Sequence, residues 1–398
     1  MNSKRLWVVL LIAVMATPLV AGDYKITATM DLGFGVGIPG IAKDGSSTAK
    51  LDWSIVKLDG TIDEYNSYSL TLEYNDWYDK EITSLDLKNS FNLGVSEFFL
   101  TTDLLGPFGL SGLPFSLKMV SGYGPLAVSG RYDNLTGWST GRWSGWGVAH
   151  LYDRWNRFGV LDFRLGLMDN KIVLRYGLSP LINRVGPDGE EKRIPMLGEI
   201  TFGEFSLGLV SLKGDVNFRG EGYLMAGGGR LNLTMMLGPV TLGGFLGEDY
   251  KTNTDTKEAD NALFVGIKPS LYLSGLGTAY LGAWYGLATT MPAGGDTTNV
   301  HKLAVDGGLT VKATKTTIYG GVRYDDLLDT EDNGGQYERQ MSYEYGVKQE
   351  FGAVAMYLGY NYTQNGQDMY AAQGTVGVFT NDEGDKVGNL YMRIKFYW

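Results

Sequence analysis

Apolar and polar side chains alternate one for one along much of this chain. Ile26, Ala28, Met30, Leu32 and Phe34 share one phase, with Lys25, Thr27, Thr29 and Asp31 in the other. Leu70, Leu72 and Tyr74 alternate with Ser69, Thr71, Glu73 and Asn75, and Leu161, Phe163, Leu165 and Leu167 with Asp162, Arg164 and Gly166. The pattern returns at Leu303, Val305, Gly307, Leu309 and Val311, and again at Val354, Met356, Leu358, Tyr360 and Tyr362. Successive side chains of a β-strand point to opposite faces, so a period of two predicts strands with one greasy and one wet side. A helical period is not sustained anywhere after the first 22 residues. The chain reads as all-β.

The connections are uneven in length. Short turns are expected at Asp169-Asn170, Gly238-Pro239, Ser274-Gly275, Ala313-Thr314-Lys315 and Phe351-Gly352. Long polar loops are expected at Pro180–Ile194, Asp249–Asp260, Thr289–Asn299, Asp325–Glu338 and Gln364–Lys386, and another at Asn134–Arg157 before a strand from Phe158. The last segment sharpens the picture. Leu390, Met392, Ile394, Phe396 and Trp398 are apolar at every second position, with Tyr391, Arg393, Lys395 and Tyr397 between them. A soluble sheet would not end on its most apolar stripe unpaired, whereas a closed barrel in lipid turns that stripe to hydrocarbon. The pattern resembles the C-terminal strand of bacterial outer-membrane β-barrels.

The start of the chain agrees. Lys4 and Arg5 precede an apolar stretch from Leu6 to Ala16 and a small-residue exit at Ala21-Gly22. Residues 1–22 therefore read as a secretory signal peptide, and that stretch is too short to span a bilayer as a helix. No later run approaches the roughly 18 apolar residues a spanning helix needs. Residues 23–398 then form one domain, a closed antiparallel up-and-down transmembrane β-barrel of about 18 strands, within 16 to 20. A fixed-length repeat, which a β-helix or propeller requires, is missing. The strand count turns on how the Glu81–Val120 region and the parity break between Phe202 and Phe205 are read.

Composition narrows the function. Without the signal, 34 basic residues lose Lys4 and Arg5, leaving 32 against 44 acidic ones, a net charge of −12. Phosphate binding needs clustered Lys and Arg, so nucleic acid is not a partner. The chain has no cysteine, which removes disulfide, thiolate and lipid-anchor chemistry. The 57 glycines suit turns and crowded barrel positions, and the 25 tyrosines and 9 tryptophans suit interfacial girdles.

Motifs that suggest enzymes fail on context. Gly35-Val36-Gly37-Ile38-Pro39-Gly40 matches a dinucleotide fingerprint, but no helix follows to face a pyrophosphate. Gly137-Trp138-Ser139-Thr140-Gly141 matches a nucleophile elbow without the helix that motif requires. The only histidines beyond the signal, His150 and His301, lack a second histidine at metal spacing. Ser139, Asp153 and Glu199 are the nominal partners for a hydrolase, and nothing in the spacing selects them. The acidic run Asp325, Asp326, Asp329, Glu331 and Asp332 lacks the spacing of a calcium loop and reads as solvated, a divalent-ion contact with lipopolysaccharide being the other reading. No catalytic, metal or cofactor residue is therefore assigned, and no cofactor is expected.

What remains is a pore. Parity places Arg131, Asp133, Asp162, Arg164, Arg175, Arg219, Glu221, Arg323, Glu344, Lys348, Arg393 and Lys395 on the inner face, where water keeps them charged. The 134–157 segment carries Trp138, Trp143, Trp146 and Trp155 with Arg142, Asp153, Arg154 and Arg157. It resembles the constriction loop of general porins; interfacial girdles or a subunit contact are the other home for its tryptophans. The resemblance to porins is one of architecture and covers residues 23–398. It implies passive diffusion of small hydrophilic solutes and ions across the bacterial outer membrane, in contact with its lipids and as a homotrimer. A structural or adhesive barrel with a blocked lumen, and a barrel hydrolase, are the alternatives.

Overall fold

The computed structural model describes residues 24–37, 47–51, 54–74, 93–125, 157–178, 196–221, 223–327, 338–363 and 387–397. They form β1 (Tyr24–Gly37), β2 (Ser47–Leu51), β3 (Ser54–Thr61), β4 (Asn66–Tyr74), β5 (Leu93–Asp103), β6 (Phe115–Pro125) and β7 (Arg157–Leu167). Next come β8 (Ile172–Leu178), β9 (Met196–Leu207), β10 (Val210–Glu221), β11 (Leu224–Leu237), β12 (Val240–Asn253) and β13 (Glu258–Leu273). The last are β14 (Gly277–Met291), β15 (Thr298–Val311), β16 (Thr316–Leu327), β17 (Glu338–Phe351), β18 (Val354–Thr363) and β19 (Val387–Tyr397). A single 3-10 turn at Gly106–Phe108 is the one helical element among the described residues.

Every pairing is antiparallel between neighbours in sequence, and β1 closes the sheet on β19 from Thr29 opposite Tyr397 to Gly37 opposite Asn389. Segments β2 and β3 both pair with the other edge of β1, so they are two parts of one stave. The result is an 18-strand closed barrel, with no free edge to template aggregation.

The two faces differ as the alternation predicts. On β19, Leu390 is 55 % exposed on the outside while Tyr391 is 5 % exposed on the inside. Leu246, Val265, Leu303 and Val322 likewise sit on the outer wall, exposed. Inside, Phe245, Ala262, Phe264, Trp284 and Ala304 form a buried cluster on β12 to β15, and Tyr319, Ala355, Tyr357 and Tyr391 another on β16 to β19. Trp284 thus belongs to the inner wall and not to a girdle. Tyrosines do line the outside: Tyr343 stacks on Tyr362 at 5.0 Å and Tyr345 lies 5.5 Å from Tyr360.

The parity break is a bulge. The β9–β10 register shifts between Leu212 and Gly214, which face Phe205 and Phe202. Two expected loops are mostly strand. The connection within Asp249–Asp260 is only Thr254–Lys257, and that within Thr289–Asn299 is Pro292–Thr297. Polar composition suggested loops there, but these residues extend the strands as wall, where the inner face tolerates charge. The β10–β11 connection on the same rim is Gly222-Tyr223, so long loops do not occupy every position on that side. Residues 1–22, Ser139 with its Gly-x-Ser-x-Gly motif, His150 and the loops at 134–156, 180–194 and 364–386 lie outside the described residues.

Candidate functional site

Six consecutive strands, β7 to β12, carry a band of charged side chains on their inner faces. Register brings them together: Arg164 faces Arg175, Arg175 faces Glu199, Glu199 faces Asn217, and Asp215 faces Arg230. Two arginines directly opposite would repel. Asp162 resolves this, since its Oδ2 accepts from Arg164 Nε at 3.1 Å, Arg164 Nη2 at 2.9 Å and Arg175 Nε at 2.7 Å. Arg175 Nη1 donates onward to Glu199 Oε2 at 3.1 Å. Arg230 Nη2 meets Asp215 Oδ1 at 2.6 Å, and Asn217 Nδ2 donates to Asp215 Oδ2 at 3.2 Å. Arg219 pairs with Asp249 at 3.8 Å, a charge contact longer than a hydrogen bond.

The sequence predicted solvated charges in this wall; the structure differs. The Asp162 side chain is 1 % exposed, and Arg175, Glu199, Asp215, Arg219, Arg230 and Asp249 are buried as well. Only Arg164, 42 % exposed, keeps open contact with solvent. The reason is shear between strands, which lets each long guanidinium lie along the wall over a neighbour's carboxylate. Acids and arginines balance across the band, so it adds polarity and rigidity with little net charge. An ionised group this buried requires such pairing.

The opposite wall is built of aromatics around one carboxylate. Tyr391 donates its hydroxyl to Glu344 Oε1, and the Tyr319 and Tyr391 hydroxyls lie 2.6 Å apart. Arg393 stands in register with Tyr357, whose ring lies 5.7 Å from Lys348 Nζ. Lys268 Nζ sits 4.3 Å from the Tyr280 ring. These rings lie on glycines. A Cβ at Gly359 would meet Tyr391 at 2.5 Å, one at Gly346 Tyr319 at 2.6 Å, one at Gly247 Phe264 at 2.1 Å, and one at Gly266 Phe245 at 2.1 Å. Bare backbone on one strand therefore lets the neighbour's ring lie flat against the wall.

Of the residues singled out from sequence, Asp162, Arg164 and Arg175 come together in one cluster, while Glu344 and Arg393 share the far wall. Arg157 and Arg323 take register positions opposite Pro125 and Ala304. Arg131, Asp133, Arg142, Asp153 and Arg154 lie outside the described residues. Asp215, Arg230 and Asp249 were not anticipated. Asp215 shares the parity of Arg219 and was legible; Asp249 was hidden in an expected loop, and Arg230 sits in a run of glycines with weak alternation. His301 faces outward on β15, its Nδ1 2.7 Å from the Tyr285 hydroxyl, far from the inward Glu199. Gly35 and Gly37 end β1 with no helix after them among the described residues, and Asp325 and Asp326 lie on β16. Among the described residues no group of three or more His, Cys, Asp or Glu is placed to hold a metal ion.

No family model and no curated protein matches the sequence. Solved structures do match. OccAB3 of Acinetobacter baumannii superposes with a TM-score of 0.55 at 8 % identity, over 94 % of this chain and 99 % of that one. OccK8 (OprE) of Pseudomonas aeruginosa gives 0.54 at 10 % identity, over 94 % and 98 %. OmpT, an outer membrane protein of Vibrio cholerae, gives 0.50 at 8 % identity, over 95 % and 98 %. Likeness at such identity speaks for the shared fold, a porin-like barrel.

Proposed function

We propose that this chain is an outer-membrane channel that passes small hydrophilic solutes and ions by passive diffusion. The observation that carries the reading is the treatment of the inner face. Its long cations lie in ion pairs along the wall and its rings lie over glycines, an arrangement suited to leaving the axis to water. An apolar outer face suits lipid, and an inner face of ionisable groups suits solutes that carry hydration shells. The fold shared with OccAB3, OccK8 and OmpT supports the same reading. Width then sets a size limit, and the exposed Arg164 guanidinium biases which ions enter.

Homotrimeric assembly fits the outer wall of β9 to β12. Gly198, Gly214, Gly227, Gly229 and Gly244 take outward register positions there, among exposed Val216, Phe218 and Leu231, a surface of bare backbone and apolar knobs for a second copy to cover.

Planar-bilayer recording tests the channel. Purified protein should give discrete conductance steps, and Arg164→Gln should keep the steps while moving the reversal potential in a salt gradient toward cations. Incorporated protein that adds no conductance above the bare bilayer would overturn the proposal and leave a structural or adhesive barrel.

A further inference from the structure

The connection between β5 and β6 is unlike the other short-turn connections. Residues 104–114 run Leu-Leu-Gly-Pro-Phe-Gly-Leu-Ser-Gly-Leu-Pro without one ionisable side chain. Phe108 is 77 % exposed, and Leu110, Leu113 and Phe115 are exposed with it. Exposed apolar groups of this density in a water-facing loop gain nothing and mark an interaction surface.

The loop is not loose. It leans on the neighbouring turn, where Asp103 N donates to Tyr65 O at 2.8 Å and Thr102 Oγ1 to Asn66 Oδ1 at 2.9 Å. Gly106 has no room for a side chain, since a Cβ there would meet the Tyr65 ring at 2.2 Å. Gly109, at φ 70°, ends the 3-10 turn. Most of the loop's backbone donors are also paired. Leu104 N donates to Leu117 O, Leu105 N to Asp103 Oδ1, Phe108 N and Leu110 N to Leu105 O, Gly109 N to Gly106 O, and Leu113 N to Leu110 O. Pro107 and Pro114 carry no N–H to satisfy. Paired donors lower the cost of bringing this backbone up to a lipid surface, while its open carbonyls keep it at headgroup level and leave the side chains to reach deeper.

We infer that the 104–114 loop lies at the membrane interface of the short-turn rim with Phe108, Leu110 and Leu113 inserted among phospholipid acyl chains, as a preformed lipid-inserted foot. Continuity favours lipid over other occupants. Phe115, Leu117 and Met119 are the outward row of β6, in register with Leu167, Leu165 and Phe163, and the loop prolongs that lipid-facing row past the strand end. Other turns on this rim also present apolar groups, among them Met168, Leu209, Leu276 and Phe351. They spread around the circumference, which a bilayer covers and a single protein partner does not. The inference rests on the barrel lying in a membrane.

Because the chain contains no cysteine, one introduced thiol carries one label. Phe108→Cys and Leu110→Cys are each spin-labelled in the full barrel, reconstituted in phosphatidylethanolamine–phosphatidylglycerol vesicles, and collision rates with oxygen and with a neutral nickel chelate are compared. Folding is checked by the mobility shift between unheated and heated samples. Phe163→Cys reports the lipid-facing wall and Asp63→Cys the polar turn alongside. Oxygen access exceeding chelate access several-fold at both loop positions, as at Phe163, is the expected result. Chelate access at the loop as high as at Asp63 overturns the foot, and so does exclusion of both reagents, which signals protein contact. Chelate access at Phe163 itself would sink the membrane reading along with it.

Discussion

Replacing Arg175 by methionine removes the cation that bridges Asp162 and Glu199 while keeping most of the side-chain volume. Both carboxylates are buried, and Arg175 contacts them at 2.7 and 3.1 Å. Breaking one partner out of a buried pair costs about 3–5 kcal/mol, because the charge left behind stays desolvated. Here Asp162 keeps two bonds to Arg164, so its share is reduced. That partner is 42 % exposed and screened by solvent, so it compensates only in part. The expected loss is therefore at the lower end, about 3 kcal/mol, or roughly a hundredfold in the folded-to-unfolded ratio. Urea unfolding in lipid vesicles, followed by tryptophan fluorescence, measures it. Adding Glu199→Gln removes the buried charge that Arg175 no longer meets and should return about 1–2 kcal/mol as a coupling energy. A loss for Arg175→Met below about 0.5 kcal/mol, the range of ordinary surface changes, would refute the account of this band as buried and mutually compensated.

Tyr391→Phe deletes the hydroxyl held by Glu344 and Tyr319, and hydrogen bonds to charged groups contribute about 1.5–3 kcal/mol, so the same unfolding assay should register a loss of that size. Gly122→Ala places a Cβ 2.0 Å from Phe98 O at φ 152°, and the forced backbone shift should cost on the order of 1–3 kcal/mol, read as a lower unfolding midpoint. In the β3–β4 turn, hydrogen bonds from the Asn66 side chain and the Tyr65 backbone hold the Asp63 carboxyl below its usual 3.8. A depressed folded-state value means the contribution is complete above 3.8 and fades as pH falls through the lower folded value. Carbon NMR titration of Asp63 should show the depression, and Asn66→Ala should move it back toward 3.8.

Much of the fold was legible because a strand encodes its faces locally. The outward stripe at Leu390, Met392, Ile394 and Phe396 follows from counting positions by twos, as does the parity break between Phe202 and Phe205, which the pairing with β10 resolves as a bulge. The wrong boundaries at 249–260 and 289–299 share a cause. Polar residues near a rim look like loop when read singly, and only pairing with β13 turns Asp249 and Thr289 into wall.

Alternation along the chain was enough to determine an all-β barrel with an apolar exterior and a polar inner face, because those are properties of one strand at a time. Pairing partners were another matter. That Asp162 would sit beneath two arginines, that Tyr391 would reach Glu344 from 47 positions away, and that glycines would lie under a neighbour's rings depends on stagger between strands. Stagger is set by closing the whole sheet on itself, from β1 to β19, and no single stretch of sequence contains that constraint.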